Sequence, residues 1–126
     1  MSKQTIKTDH APAAIGPYSQ AVVSNGLLFT SGQLPIDPAT GKIPEGSIED
    51  LAHIVFKNLE AIAKEAGTTL DNAVKTTVYL ADINNFQAVN GVYAQYFKEP
   101  YPARSAFQVA ALPLGADVEV EAIFQL

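Results

Sequence analysis

Val118-Glu119-Val120-Glu121-Ala122-Ile123-Phe124 sets apolar residues against acidic ones nearly without a break. Successive side chains of a strand point to opposite faces. Val118, Val120, Ala122 and Phe124 therefore share one face, and Glu119, Glu121 and Ile123 the other. A segment of this kind is a strand whose first face packs on a core.

The segment before it, Arg104–Ala110, reads as a second strand, reached through a turn at Pro113-Leu114-Gly115. Phe107 and Val109 point one way along it; Arg104, Ala106 and Gln108 point the other. If helices cover the Val/Phe faces of both strands, Arg104 and Glu119 meet on the opposite, uncovered face. Val74–Ala81 is β-branched and aromatic and predicts a further strand, with Tyr79 on a different face from Val78 and Leu80.

Two helical stripes account for the cover. Ser47 is the expected N-cap of the first, with Asp50 three residues on in capping-box spacing and Gly67 ending the helix. Leu51, Ile54, Val55, Leu59, Ile62 and Ala66 form its apolar stripe. Asn84 or Asn85 is the expected cap of the second, whose stripe is Phe86, Val89, Tyr93, Tyr96 and Phe97; Pro100 and Pro102 forbid its continuation. Near the amino end, Asn25-Gly26 lies between Ala21-Val22-Val23 and Leu27-Leu28-Phe29, a strong hairpin signal. Thr5-Ile6-Lys7 adds a short edge strand. The order β-β-β-α-β-α-β-β predicts an α+β fold, a mostly antiparallel six-stranded sheet with two helices on one face. Its other face mixes aromatic, aliphatic and charged residues, and burial against copies of the chain is the expected explanation.

Composition narrows the function. The 126 residues make one domain, with 48% hydrophobic and 17% charged residues, as in a compact soluble protein. Eight Lys+Arg against thirteen Asp+Glu give a net charge of −5, which disfavours nucleic acid as a partner. There is no Cys, so disulfides and thiolate chemistry are excluded. No apolar run approaches a membrane span and residues 1–5 lack the apolar core of a signal peptide, so a cytoplasmic location is expected. Two isolated histidines do not make a metal site, and no glycine-rich phosphate loop is present.

Arg104 and Glu119 stand out as a pair. A guanidinium fork holds a carboxylate by two parallel bonds, although a structural cross-strand ion pair would use the same two residues. Asn90 interrupts an apolar helical stripe, either as a core amide bonded to backbone or as a group bordering a site. Pro17-Tyr18-Ser19 and Thr30-Ser31-Gly32-Gln33 are loop-entry segments that allow close approach of a ligand, and turn chemistry explains them equally well.

Ala11-Pro-Ala-Ala-Ile-Gly-Pro-Tyr-Ser-Gln20, Thr30-Ser-Gly-Gln-Leu-Pro35, Val74–Tyr79, Phe86–Tyr93, Tyr101-Pro-Ala-Arg-Ser105 and Val118–Ile123 together resemble the Rid, or YjgF, family of enamine/imine deaminases, essentially end to end. The resemblance implies a single Rid/YjgF-like domain over 1–126. It also implies a chorismate-mutase-like fold, a homotrimer formed through the uncovered sheet face, and pockets at the subunit interfaces. The implied activity is hydrolysis of 2-iminopropanoate, 2-iminobutanoate and related 2-imino acids to 2-oxo acids and ammonia, with no cofactor or metal. Carried onto this chain, Arg104 would clamp the substrate carboxylate and Glu119 would hold the attacking water. Tyr18, Ser31, Gly32 and Asn90 would line the pocket, with a backbone contact at Ala106. Many relatives carry Cys at that last position, so a catalytic thiol is ruled out here. Arg104 nearby is expected to favour the ionised form of Glu119. Two other readings use the same residues: a non-catalytic trimer that senses small carboxylates or 2-oxo acids, and the ribonuclease or translation-inhibitor activity ascribed to some relatives, which the acidic balance opposes.

Overall fold

Strands β1 (Gln4–Ile6), β2 (Ala21–Ser24) and β3 (Leu27–Thr30) form an antiparallel meander in the computed structural model, which describes residues 3–126. Asn25 and Gly26 both adopt positive φ, 53° and 76°, closing the tight β2–β3 turn that the sequence requires.

Helix α1 (Ile48–Glu65) begins with a complete capping box. The Asp50 N–H donates to Ser47 Oγ at 3.1 Å and the Ser47 N–H to Asp50 Oδ2 at 3.3 Å. Its buried face is broader than the expected stripe: Ala52, Phe56 and Ala63 are fully buried, whereas Ile54 and Ala66 are half-buried. The face widens because α1 packs on both the sheet and the second helix.

Strand β4 (Ala73–Leu80) leads to a single 3₁₀ turn, Ile83–Asn85, and then to helix α2 (Phe86–Tyr96). Asn85 takes the N-cap position of α2, as expected, but the side-chain capping bond lies upstream. The Asp82 side chain accepts the Asn84 N–H at 2.9 Å, and Asn85 is already in helical conformation with no side-chain cap bond. The 3₁₀ turn moves the helical start ahead of the asparagines. Val89, Val92 and Tyr93 of α2 are buried, as is Phe97 after it.

Strands β5 (Ala103–Gln108) and β6 (Val118–Gln125) complete a sheet of order β1-β2-β3-β6-β4-β5. All pairings are antiparallel except β4–β5, which is parallel. Both helices cover one face, where Leu28, Phe56, Leu59, Leu80, Val118, Val120 and Phe124 are wholly buried. Each such side chain contributes about 1.5–3 kcal/mol relative to exposure.

Side-chain parity holds for β6 and is inverted for β5. Thr76, fully buried beneath α2, pairs with Ala122 on one side and with Arg104 on the other. Arg104 therefore lies on the helix-covered side, as does Ala106 opposite Val78. Phe107 instead pairs with Tyr79 on the uncovered side, ring centroids 5.8 Å apart, and Tyr79 in turn pairs with Glu119. The two strands taken as neighbours are separated by β4, and that non-local register decides the face.

Candidate functional site

The residues singled out from sequence gather into two groups. The first surrounds Arg104 at the outer edge of the sheet. Its Nη1 donates to Asn90 Oδ1 at 2.7 Å, and its guanidinium carbon lies 4.7 Å from the Tyr93 ring centroid and 5.4 Å from that of Phe86. Phe86, Asn90 and Tyr93 are spaced by four and three residues, so one face of α2 presents all three. Asn90 is thus the partner of an arginine, not a core amide tied to backbone. Arg104 remains exposed and lines two open clefts, one with Asn90, Tyr101 and Pro102, the other with Ile83, Phe86 and Ala106. Because β5 pairs on one side only, its outer edge also offers backbone donors and acceptors.

The second group surrounds Glu119. Gly32 lies against it so closely that a Cβ there would sit 2.7 Å from the carboxyl carbon of Glu119. Reciprocal bonds between Gln33 and Val120, at 2.8 and 3.1 Å, hold this approach in place. Ser31 Oγ donates to the Ser19 carbonyl at 2.6 Å and the Ser31 N–H to the Gln20 carbonyl at 2.9 Å, fastening the loop that carries Tyr18. Buried Gln20 strengthens the same loop: its amide nitrogen lies within 2.7–3.3 Å of the carbonyls of Thr8, Ala11 and Pro12, while its oxygen accepts the Thr8 N–H at 2.7 Å. The Tyr18 side chain itself stays 52% exposed.

The expectation that Arg104 would hold Glu119 ionised fails within one protomer. Arg104 lies on the other face of the sheet. Burial, and then the charge of Glu121, instead push the Glu119 carboxyl above the usual glutamate range. Tyr79, on the same face, is also pushed up, by burial and then by Glu121, with Glu119 adding to the shift. Both shifts favour the protonated forms of these groups.

Sequence reasoning assigned Phe86 and Tyr93 to the core stripe and missed their contact with Arg104. Their spacing around Asn90 was the available signal. Among the described residues, no group of three or more His, Asp or Glu could hold a metal ion.

The Gly32–Glu119 contact gives a direct test. Gly32→Ala should leave the protein folded, because a side-chain end can move aside, yet displace the carboxylate. On the expectation that Glu119 holds the attacking water, turnover should fall about 100-fold, the scale of an ångström's misplacement, with the melting temperature changed by only a few degrees. Turnover and thermal melting measured on the same variant check both.

Residues 8–125 match the family described as Endoribonuclease L-PSP. The human 2-iminobutanoate/2-iminopropanoate deaminase is 50% identical over 121 residues, covering 96% of this chain and 88% of that one. Among solved structures, the Rid-family protein YyfA of Yersinia pestis superposes with a TM-score of 0.96 at 51% identity, over 99% of this chain and all of that one. E. coli TdcF, determined with bound serine, gives 0.92 at 41% identity, over 98% of both chains. The chain belongs to the Endoribonuclease L-PSP family, whose members include the Rid, or YjgF, proteins.

Proposed function

We propose that the chain is an imine deaminase, hydrolysing short 2-imino acids such as 2-iminopropanoate and 2-iminobutanoate to 2-oxo acids and ammonia. The single domain over 1–126 acts in the cytoplasm as a homotrimer with clefts between protomers. The observation that carries the reading is the Arg104 guanidinium, fixed by Asn90 at the sheet edge with its other donors open to a carboxylate. The relatives' names supply the reaction, and the serine bound by TdcF is a ligand with the same carboxylate handle.

Arg104 and Glu119 occupy opposite faces of one sheet, with β4 between their strands. A cleft using both draws them from different protomers. Phe29, opposite Ile123, and Phe107, beside Tyr79, are 40% and 48% exposed on the uncovered face and favour its burial against another copy. One protomer then brings Arg104, Asn90 and the backbone at Ala106; its neighbour brings Glu119, Gly32, Ser31 and Tyr18.

In this cleft Arg104 grips the carboxylate and orients the adjacent imine carbon, replacing a random encounter by a fixed one. The protonated imine is electrophilic at C2. Glu119 accepts a proton from water as its oxygen bonds to C2, leaving a carbinolamine, and then delivers that proton to nitrogen. The C2–N bond breaks with its electron pair going to nitrogen, so ammonia departs. Glu119 takes the C2 hydroxyl proton as the carbonyl forms and passes it to the ammonia, so that ammonium and the 2-oxo acid leave and the carboxylate is restored. A net charge of −5 gives no support to an RNA-cleaving role.

Mixing inactive variants tests the shared cleft. Arg104→Ala and Glu119→Gln chains, unfolded and refolded together, should regain activity at about a quarter of clefts, by random association of two defective copies. A site completed within one protomer would regain nothing.

A further inference from the structure

We propose that Tyr93 is a positioning residue for Arg104, its ring setting the plane in which the guanidinium meets a substrate carboxylate. This rests on the reading of Arg104 as the carboxylate clamp and adds a residue to which neither the relatives nor the sequence motifs gave a role.

Tyr93 is anchored more firmly than the arginine it supports. It is buried, its hydroxyl lies 2.8 Å from Thr76 Oγ1 beneath the sheet, and its ring stacks on Phe97 at 4.4 Å and meets Phe56 edge-on at 5.7 Å. Arg104, by contrast, lies on an outer strand and is exposed. A long side chain there would sample many rotamers. Two contacts from α2 remove that freedom in complementary ways. The Tyr93 ring, 4.7 Å from the guanidinium carbon, holds one flat face through the attraction of a cation for π-electrons. Asn90 Oδ1, 2.7 Å from Nη1, fixes rotation within that plane. Phe86, at 5.4 Å, flanks the group. One donor is engaged, and the remaining edge stays open for a two-pronged grip on a carboxylate.

The expected consequence is a change in binding with little change in chemistry. Affinity falls by the fraction of time the arginine spends in the competent orientation. Glu119 lies on the other face of the sheet and is untouched. Loss of a cation–π contact of this kind corresponds to roughly 3- to 30-fold.

Replacing Tyr93 by phenylalanine and then by phenylalanines with increasing ring fluorination keeps size and burial while draining the ring's negative face. Tyr93→Phe should bind 2-oxobutanoate within about twofold of wild type, although it melts lower for want of the Thr76 bond. Fluorination should then raise Kd by calorimetry, and KM for imine hydrolysis, stepwise to about 10-fold, with kcat within about twofold. A flat series overturns the proposal, as does a series in which kcat falls as much as KM rises. Undiminished 2-oxobutanoate binding by Arg104→Ala alone would instead overturn the reading of Arg104 as clamp, which separates the two failures.

Discussion

Arg104→Ala is expected to reduce imine hydrolysis to near the uncatalysed rate, a loss of at least about 1,000-fold, while the protein stays folded and assembled. The magnitude combines two losses. A charge-assisted, two-bond contact to a carboxylate in a shielded cleft is worth several kcal/mol, and the orientation it imposes on the imine carbon disappears with it. The fold is spared because Arg104 sits exposed on an outer strand, and Asn90, its hydrogen-bond partner, is only half-buried and can turn to water. Arg104→Lys should rescue little, since a point charge cannot reproduce the planar fork. The measurement is 2-oxo acid and ammonia released from imine generated continuously by a dehydratase, against the same mixture without deaminase. Activity within about tenfold of wild type would remove the central support for the proposed reaction.

Glu119→Gln should lose about 100- to 10,000-fold in turnover, the range of a missing general base, while 2-oxo acid binding by calorimetry stays near wild type. A sensor that only binds would be unaffected in both measurements. The same substitution should leave the protein as stable or more stable at neutral pH. Burial and Glu121 raise the Glu119 carboxyl in the folded state, so between its unfolded and folded ionisation ranges the native protein binds more protons than the unfolded one. Stability from this group is therefore fully present in acid and lost as pH rises through the folded range. Activity runs the other way, since the proposed base must be ionised, and should climb with pH as Glu119 loses its proton. Glutamine removes both dependences. Denaturant melts and pH–rate profiles on the two proteins make the comparison, and a destabilised Glu119→Gln with unchanged turnover would mark the residue as structural.

Signals that act within a few residues were legible in the sequence. The Ser47–Asp50 box, the Asn25-Gly26 turn and the buried face of β6 depend on near neighbours, and each appears in the structure. Placing Arg104 needed information from elsewhere in the chain. Alternation separates Arg104 from Phe107 correctly, but which of the two faces the helices follows from Thr76 standing between Arg104 and Ala122. The approach of Gly32 to Glu119 likewise depends on the Gln33–Val120 bridge, and the tie between Ser31 and the loop that carries Tyr18 on the Ser31–Ser19 bond. Family resemblance named these residues without saying which of them one protomer can bring together. Tyr93 stayed hidden for a different reason: a tyrosine in an apolar stripe looks the same whether its ring ends in the core or has one side left for a cation.

The single parallel pairing, β4 with β5, carries a consequence for how the chain tolerates insertions. Extra residues between Phe97 and Tyr101, ahead of the stretch that lines the cleft, would lengthen the connection without changing the register of β5. One residue gained or lost after Ala103 would turn the rest of the strand over like a ribbon: Arg104 would leave its aromatic seat and Phe107 would be driven toward the helices. Length drift is therefore far less disruptive before Ala103 than after it, and Arg104 stands one residue inside that boundary.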